Sequence, residues 1–161
     1  MTSNNEINMD RYYLHPGYIY AGLTDTIITT VLGSCISVSL WDKKNHFGGM
    51  NHYIFPEDLK NESSSKYGDV ACTYLLKVMK DYGAKKENLV AHIVGGSSNT
   101  ALGSDIGIKN ALMAKKILKK QSIYISTWDV GGELGRKMIF NTSSGEILIY
   151  KGAKIREGDW Y

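Results

Sequence analysis

The sequence predicts an α+β domain of largely antiparallel strands with two main helices packed on them. Three observations carry that prediction. Short runs rich in β-branched and aromatic residues alternate with period two, as in Thr26–Val31 and Ile36–Trp41. Two longer segments repeat apolar residues at helical spacing, over residues 67–82 and from Ser104 or Asp105 to Lys119. Turn formers separate the runs, and several breaks are of hairpin length.

Taken in order, Met1–Tyr12 reads as a polar, mobile lead-in and residues 13–161 as one domain. Pro16-Gly17 is a turn, Tyr18–Ala21 a short strand, and Thr26–Val31 a strand dense in β-branched residues. Gly33-Ser34 breaks that strand. Ile36–Trp41 and His46–Phe55 then form a hairpin across the polar Asp42–Asn45. A turn symmetric about Lys43-Lys44 places Cys35 directly opposite His52, with both side chains on one face. The serine-rich Asp58–Lys66 reads as a flap or a partner-facing loop.

The first helix should bury Val70, Ala71, Tyr74, Leu75, Val78, Met79 and Tyr82, and Gly83 should stop it. Leu89–Val94 is nearly all apolar, as in a buried strand, and Gly95–Asn99 is a tight loop. The second helix should bury Ile108, Ala111, Leu112 and Leu118, with Ser104 or Asp105 as its N-cap. Its lysines, Lys115-Lys116 and Lys119-Lys120, read as a solvated face. Ser122–Trp128 is a strand by alternation. Lys137–Asn141 and Glu146–Lys151 are a hairpin across Thr142–Gly145, and Ile155–Tyr161 has no assignable structure. The total is seven or eight strands.

Composition narrows the function. A formal charge of +3, with no run of five basic residues, gives nucleic-acid or membrane-surface binding no special support. No apolar run approaches the roughly 20 residues of a transmembrane helix, and Met1–Asp10 has no apolar signal core. A cytoplasmic protein is expected. Two distant cysteines make neither a disulfide framework nor a CxxC redox motif.

A cysteine beside an imidazole is a nucleophile with a built-in base. Cys35 has the Gly33-Ser34 turn to expose it and backbone N–H groups nearby to hold an oxyanion. Thr26, Thr29 and Thr30 are hydroxyls on the preceding strand that could orient His52. The plainer reading makes Cys35 a small core hydrophobe and His52 a packed histidine. Cys72 and His92 read as structural, and the spacing of Cys35, His46, His52 and His92 matches no compact zinc pattern.

The segments TVLGSC (Thr30–Cys35), GGMNH (Gly48–His52), KYGD (Lys66–Asp69), the glycine pair of IVGGSSN (Ile93–Asn99), IGIKN (Ile106–Asn110) and DVGGELGRK (Asp129–Lys137) follow one another in this order. Together they closely resemble the CheD family of chemoreceptor glutamine deamidases, over about Gly17 to Gly152. The resemblance implies hydrolysis of receptor glutamines to glutamates with release of ammonia, through a cysteine thioester and without cofactor or metal. It implies an α/β sandwich fold. It also implies a cysteine–histidine–threonine triad, which falls on Cys35, His52 and Thr29, with Thr30 adjacent to the third position. Methyl-accepting chemoreceptors are the implied substrates, and a CheC-type phosphatase is the implied partner. Arg136 and its Asp129–Gly135 loop could frame the site or be structural. The rival readings are a methylesterase or protease with the same dyad, a module that mainly engages the phosphatase, and a structural zinc protein.

Overall fold

The computed structural model describes residues 9–98 and 105–153. Within them nine strands and two α-helices run in the order β1 (Asp10–Tyr13), β2 (Ile19–Gly22), β3 (Thr26–Leu32), β4 (Ile36–Asp42), β5 (Phe47–Asn51), α1 (Gly68–Asp81), β6 (Leu89–Gly95), α2 (Ile106–Lys120), β7 (Tyr124–Val130), β8 (Gly135–Asn141) and β9 (Ile147–Gly152). One sheet has the order β1-β3-β8-β9 and the other β2-β5-β4-β6-β7. Both are mixed, because β1 runs parallel to β3 and β6 parallel to β7. The α+β sandwich expected from the sequence is the observed architecture.

Alternation along the strands builds two cores. Ile36, Val38 and Leu40 of β4 face the helices and pack with Ala71, Leu75, Met79, Ala111, Ala114 and Leu118. Cys35 and Trp41 face the other way, into a layer between the sheets with Leu14, Ile28, Leu32, Met50, Val94, Met138 and Phe140. The order of layers is therefore sheet, sheet, helices. No helix among the described residues is long and apolar enough to cross a membrane.

Several details differ from the sequence reading. Asp10–Tyr13 is not a lead-in but an edge strand on β3; residues 1–8 lie outside the described residues. The hairpin loop is Lys43–His46, one residue further on than expected. The Asp42 carboxylate accepts the N–H groups of Lys44 and Asn45, and His46 closes the loop at φ 58°. Asp42 thus pairs with Phe47 and Ser39 with Met50, and Ile36 bridges Tyr53. The register is slid by two, which keeps every side chain on its face. Cys35 and His52 become diagonal neighbours on the inter-sheet face rather than direct partners.

Both helices are also rotated from the expected stripe. α1 buries Cys72 and Leu76 while Tyr74 and Tyr82 are exposed. α2 buries Gly107 and Asn110 while Ile108 and Leu112 are exposed. A polar residue at the centre of the buried face hid the true stripe of α2. Gly83 ends α1 with φ 102° as expected. Asp105 holds the N-cap position of α2 but turns its carboxylate to Lys109, and Ser104 and Asn99 lie outside the described residues, as does the tail Ile155–Tyr161. The Asp58–Lys66 loop is tied within itself and to the chain before it: Asp58 accepts the N–H groups of Glu62 and Ser63, and Ser65 donates to the Gly17 carbonyl.

Candidate active site

The site forms where β3 of one sheet faces the β4–β5 pair of the other. In β3 alternate residues turn inward, so Thr26, Ile28, Thr30 and Leu32 are buried and Ile27, Thr29 and Val31 lie on the outer face. That parity separates the two neighbouring threonines. The Thr30 hydroxyl lies 2.7 Å from His52 Nδ1. Thr29, the residue expected from the sequence, is turned away and contributes its carbonyl to the Leu14 N–H instead. A one-residue offset in a strand is a change of face, and no signal within the TT pair distinguishes the two.

His52 follows β5, and its backbone is held from the side: its N–H donates to the Tyr18 carbonyl and its carbonyl accepts from the Gly17 N–H. The ring is almost wholly buried. Proton counting fixes its state. The Thr30 hydroxyl donates to the Leu14 carbonyl at 2.7 Å, so its oxygen accepts from His52 Nδ1–H. The imidazole is then the Nδ1–H tautomer, with its lone pair on Nε2. That atom is buried and has no partner among the described residues. A buried, unpartnered acceptor is costly, and it is the state a general base needs before substrate arrives.

Cys35 sits on the Gly33–Cys35 turn between β3 and β4, half-buried and free. The carbonyls of the turn are engaged outside the site: Gly33 by the Ser97 N–H, Cys35 by the Gly96 N–H, and Ser34 by the side chain of Asn110. Sequence reasoning missed Asn110. A signal was present, since asparagine is a poor choice inside a helix unless its amide has work there.

Burial pushes the Cys35 thiol up to about 11, opposed in part by its own backbone N–H. Burial also pushes the His52 imidazole down to about 4, opposed by the Leu14 carbonyl and reinforced by the charge of His15. Both groups are therefore neutral at pH 7. Both shifts favour the thiol and the imidazole over a thiolate and an imidazolium. Alkylation of Cys35 by iodoacetamide, followed by mass spectrometry, is expected to rise about tenfold per pH unit from pH 7 to 10, as the thiolate fraction does below its pKa. A plateau between pH 5 and 8 would instead reveal a preformed ion pair.

The remaining candidates are structural. Cys72 is buried on α1 beside Asn51 Nδ2 at 3.7 Å, and its thiol is pushed up to about 12 by burial. His92 bonds Thr127 and the Gly145 carbonyl. Arg136 is spent inside its own loop, on Asp129 and on the carbonyls of Gly131 and Leu134. Among the described residues, no three of His, Cys, Asp and Glu are grouped to hold a metal ion.

Residues 55–151, more than half of the chain, match the family described as CheD chemotactic sensory transduction. A protein of Trichlorobacter lovleyi named probable chemoreceptor glutamine deamidase CheD is 38% identical over 88% of this chain and 91% of its own length. A protein of the same name from Sulfurimonas denitrificans is 36% identical over 87% and 93%. One from Methanococcus vannielii is 34% identical over 87% and 94%. The chain belongs to the CheD family.

Proposed function

We propose that this protein is a chemoreceptor glutamine deamidase in which Cys35 is the nucleophile, His52 the general base and Thr30 the group that orients it. The observation that carries the assignment is the Leu14–Thr30–His52 relay, which leaves a bare Nε2 on the inter-sheet face shared with Cys35. The names of the relatives supply the substrate class, chemoreceptors.

The chemistry follows from the protons. Cys35 sulfur attacks the side-chain carbonyl carbon of glutamine while its proton passes to His52 Nε2. The oxyanion is held by N–H groups of the Ser34–Cys35 turn. The imidazolium returns its proton to the departing nitrogen, the C–N bond breaks, and ammonia leaves a thioester. Water then gives a proton to His52 and its oxygen to the carbonyl. Collapse releases glutamate, and the thiolate recovers the proton from His52. Throughout, Thr30 accepts Nδ1–H, so the ring cannot turn its protonated nitrogen toward the sulfur. The reaction takes place in the cytoplasm, and a CheC-type phosphatase is the partner that would engage the protein there.

The test is mass spectrometry of a cytoplasmic chemoreceptor fragment incubated with the purified protein. Each amide converted to acid adds about one mass unit by this chemistry. Conversion at defined glutamines by the wild type, abolished in Cys35→Ala, is the expected result. No conversion by a well-folded wild type overturns the deamidase reading and leaves a role in binding the phosphatase.

A further inference from the structure

Three successive carbonyls of the nucleophile's turn point away from the site, and only one is held by a side chain. Asn110 Nδ2 donates to the Ser34 carbonyl at 3.0 Å and to the Ile54 carbonyl at 2.9 Å. Both acceptors are carbonyls, so the amide must present its nitrogen there. One end of this clamp precedes Cys35 by one residue; the other follows His52 by two. Asn110 itself is fully buried in α2, and its backbone carbonyl accepts the hydroxyl of Tyr53.

The clamp has a directional consequence. The Ser34 carbonyl and the Cys35 N–H belong to one peptide unit, which is planar and trans. They point in opposite directions, so pinning the oxygen toward α2 aims the N–H away from α2. The N–H groups of Ser34 and Cys35 have no backbone partner among the described residues. A donor fixed beside the nucleophile, with nothing yet to bind, is the geometry of an oxyanion site. Helix propensity alone would favour leucine or alanine at this buried position of α2.

We propose that Asn110 is a positioning residue for deamidation: its amide aims the Cys35 N–H at the oxyanion and locks the Cys35 turn to the segment that carries His52. The role deepens the deamidase reading and rests on it. Asn110 does not touch substrate; it acts through the peptide between Ser34 and Cys35.

The experiment compares wild type, Asn110→Ala and Asn110→Ser, the last keeping one donor. Thermal unfolding first confirms that each is folded at the assay temperature. The kcat and KM for receptor-fragment deamidation, and the rate of Cys35 alkylation at pH 8, are then measured. Alanine is expected to lower kcat about 10²-fold, the scale of losing one oxyanion donor, with KM changed by less than about threefold. Serine should fall between, and it carries the test if the alanine variant does not fold. Alkylation should move the other way and rise several-fold, because a loosened turn exposes the thiol to water. Folded variants with wild-type kcat and wild-type alkylation overturn the proposal, since a merely structural loss would lower only the melting temperature. If the wild type converts no receptor glutamine while alkylation of Asn110→Ala still accelerates, the clamp stands and the deamidase reading falls.

Discussion

His52→Ala is expected to lower the single-turnover rate of deamidation by about 10⁴-fold and Thr30→Val by about 10²-fold, while Thr29→Val changes it by less than about threefold. Alanine at 52 removes the imidazole that takes the thiol proton in the proposed mechanism, and a thiol pushed up to about 11 supplies almost no thiolate by itself. Valine at 30 keeps the shape of threonine but deletes the oxygen that accepts Nδ1–H and the proton that serves Leu14. The ring is then free to adopt the other tautomer or to tilt, and a small misplacement of a catalytic group costs about two orders of magnitude. The same substitution strands a buried N–H and a buried carbonyl, worth about 1–3 kcal/mol each, so urea unfolding should show Thr30→Val destabilised as well. Thr29→Val alters only the outer face of β3. Measuring rate and stability on the pair settles which threonine serves the site: loss of rate in Thr29→Val with Thr30→Val unaffected would refute the assignment.

The shared face of Cys35 and His52 was legible in the sequence because both residues could be placed on strands of known parity. Cys35 follows a Gly-Ser break and His52 lies on the next strand, so any register slid by an even number leaves them on one face. That is why the hairpin could be misplaced by two residues and the pairing still survive. Thr29 and Thr30 are separated by the opposite kind of step: a single residue in a strand reverses the face, and the structure turns Thr30 rather than Thr29 toward His52. The helix stripes failed at α2 because hydrophobic periodicity assumes apolar burial, and Asn110 is buried for its hydrogen bonds. Residues 10–13 failed because an edge strand with exposed side chains has no apolar alternation to read. What the sequence cannot display is backbone partnership: the Leu14 carbonyl, the Ser34 carbonyl and the Gly96 N–H each shape the site without using a side chain.

Gly95→Ala is expected to cost at least about 3 kcal/mol, with Gly131→Ala as its control at about 1 kcal/mol. Both glycines have positive φ, 118° and 84°, so both substitutions pay for a conformation that residues with a Cβ avoid. They differ in what the new Cβ meets. At Gly131 nothing lies within 4 Å. At Gly95 the Cβ would stand 2.2 Å from the carbonyl oxygen of Cys35. That oxygen cannot retreat freely, because it accepts the Gly96 N–H at 2.8 Å, and Ile36 next to it pairs with Gly95 in the sheet. Relief must therefore come from shifting the end of β6 or the turn that carries Cys35. For a chain of this size 1 kcal/mol moves the melting temperature by about 2–4 °C, so calorimetry should find a drop of at least about 6 °C for Gly95→Ala and about 2–4 °C for Gly131→Ala. The strain also reaches the chemistry. At a temperature where Gly95→Ala is still folded, its deamidation rate should fall while that of Gly131→Ala stays near wild type, since only the first displaces the Cys35 backbone. Equal stability losses in the two variants would mean that the contact at Cys35 yields easily, and the turn would then be softer than its hydrogen bonds imply.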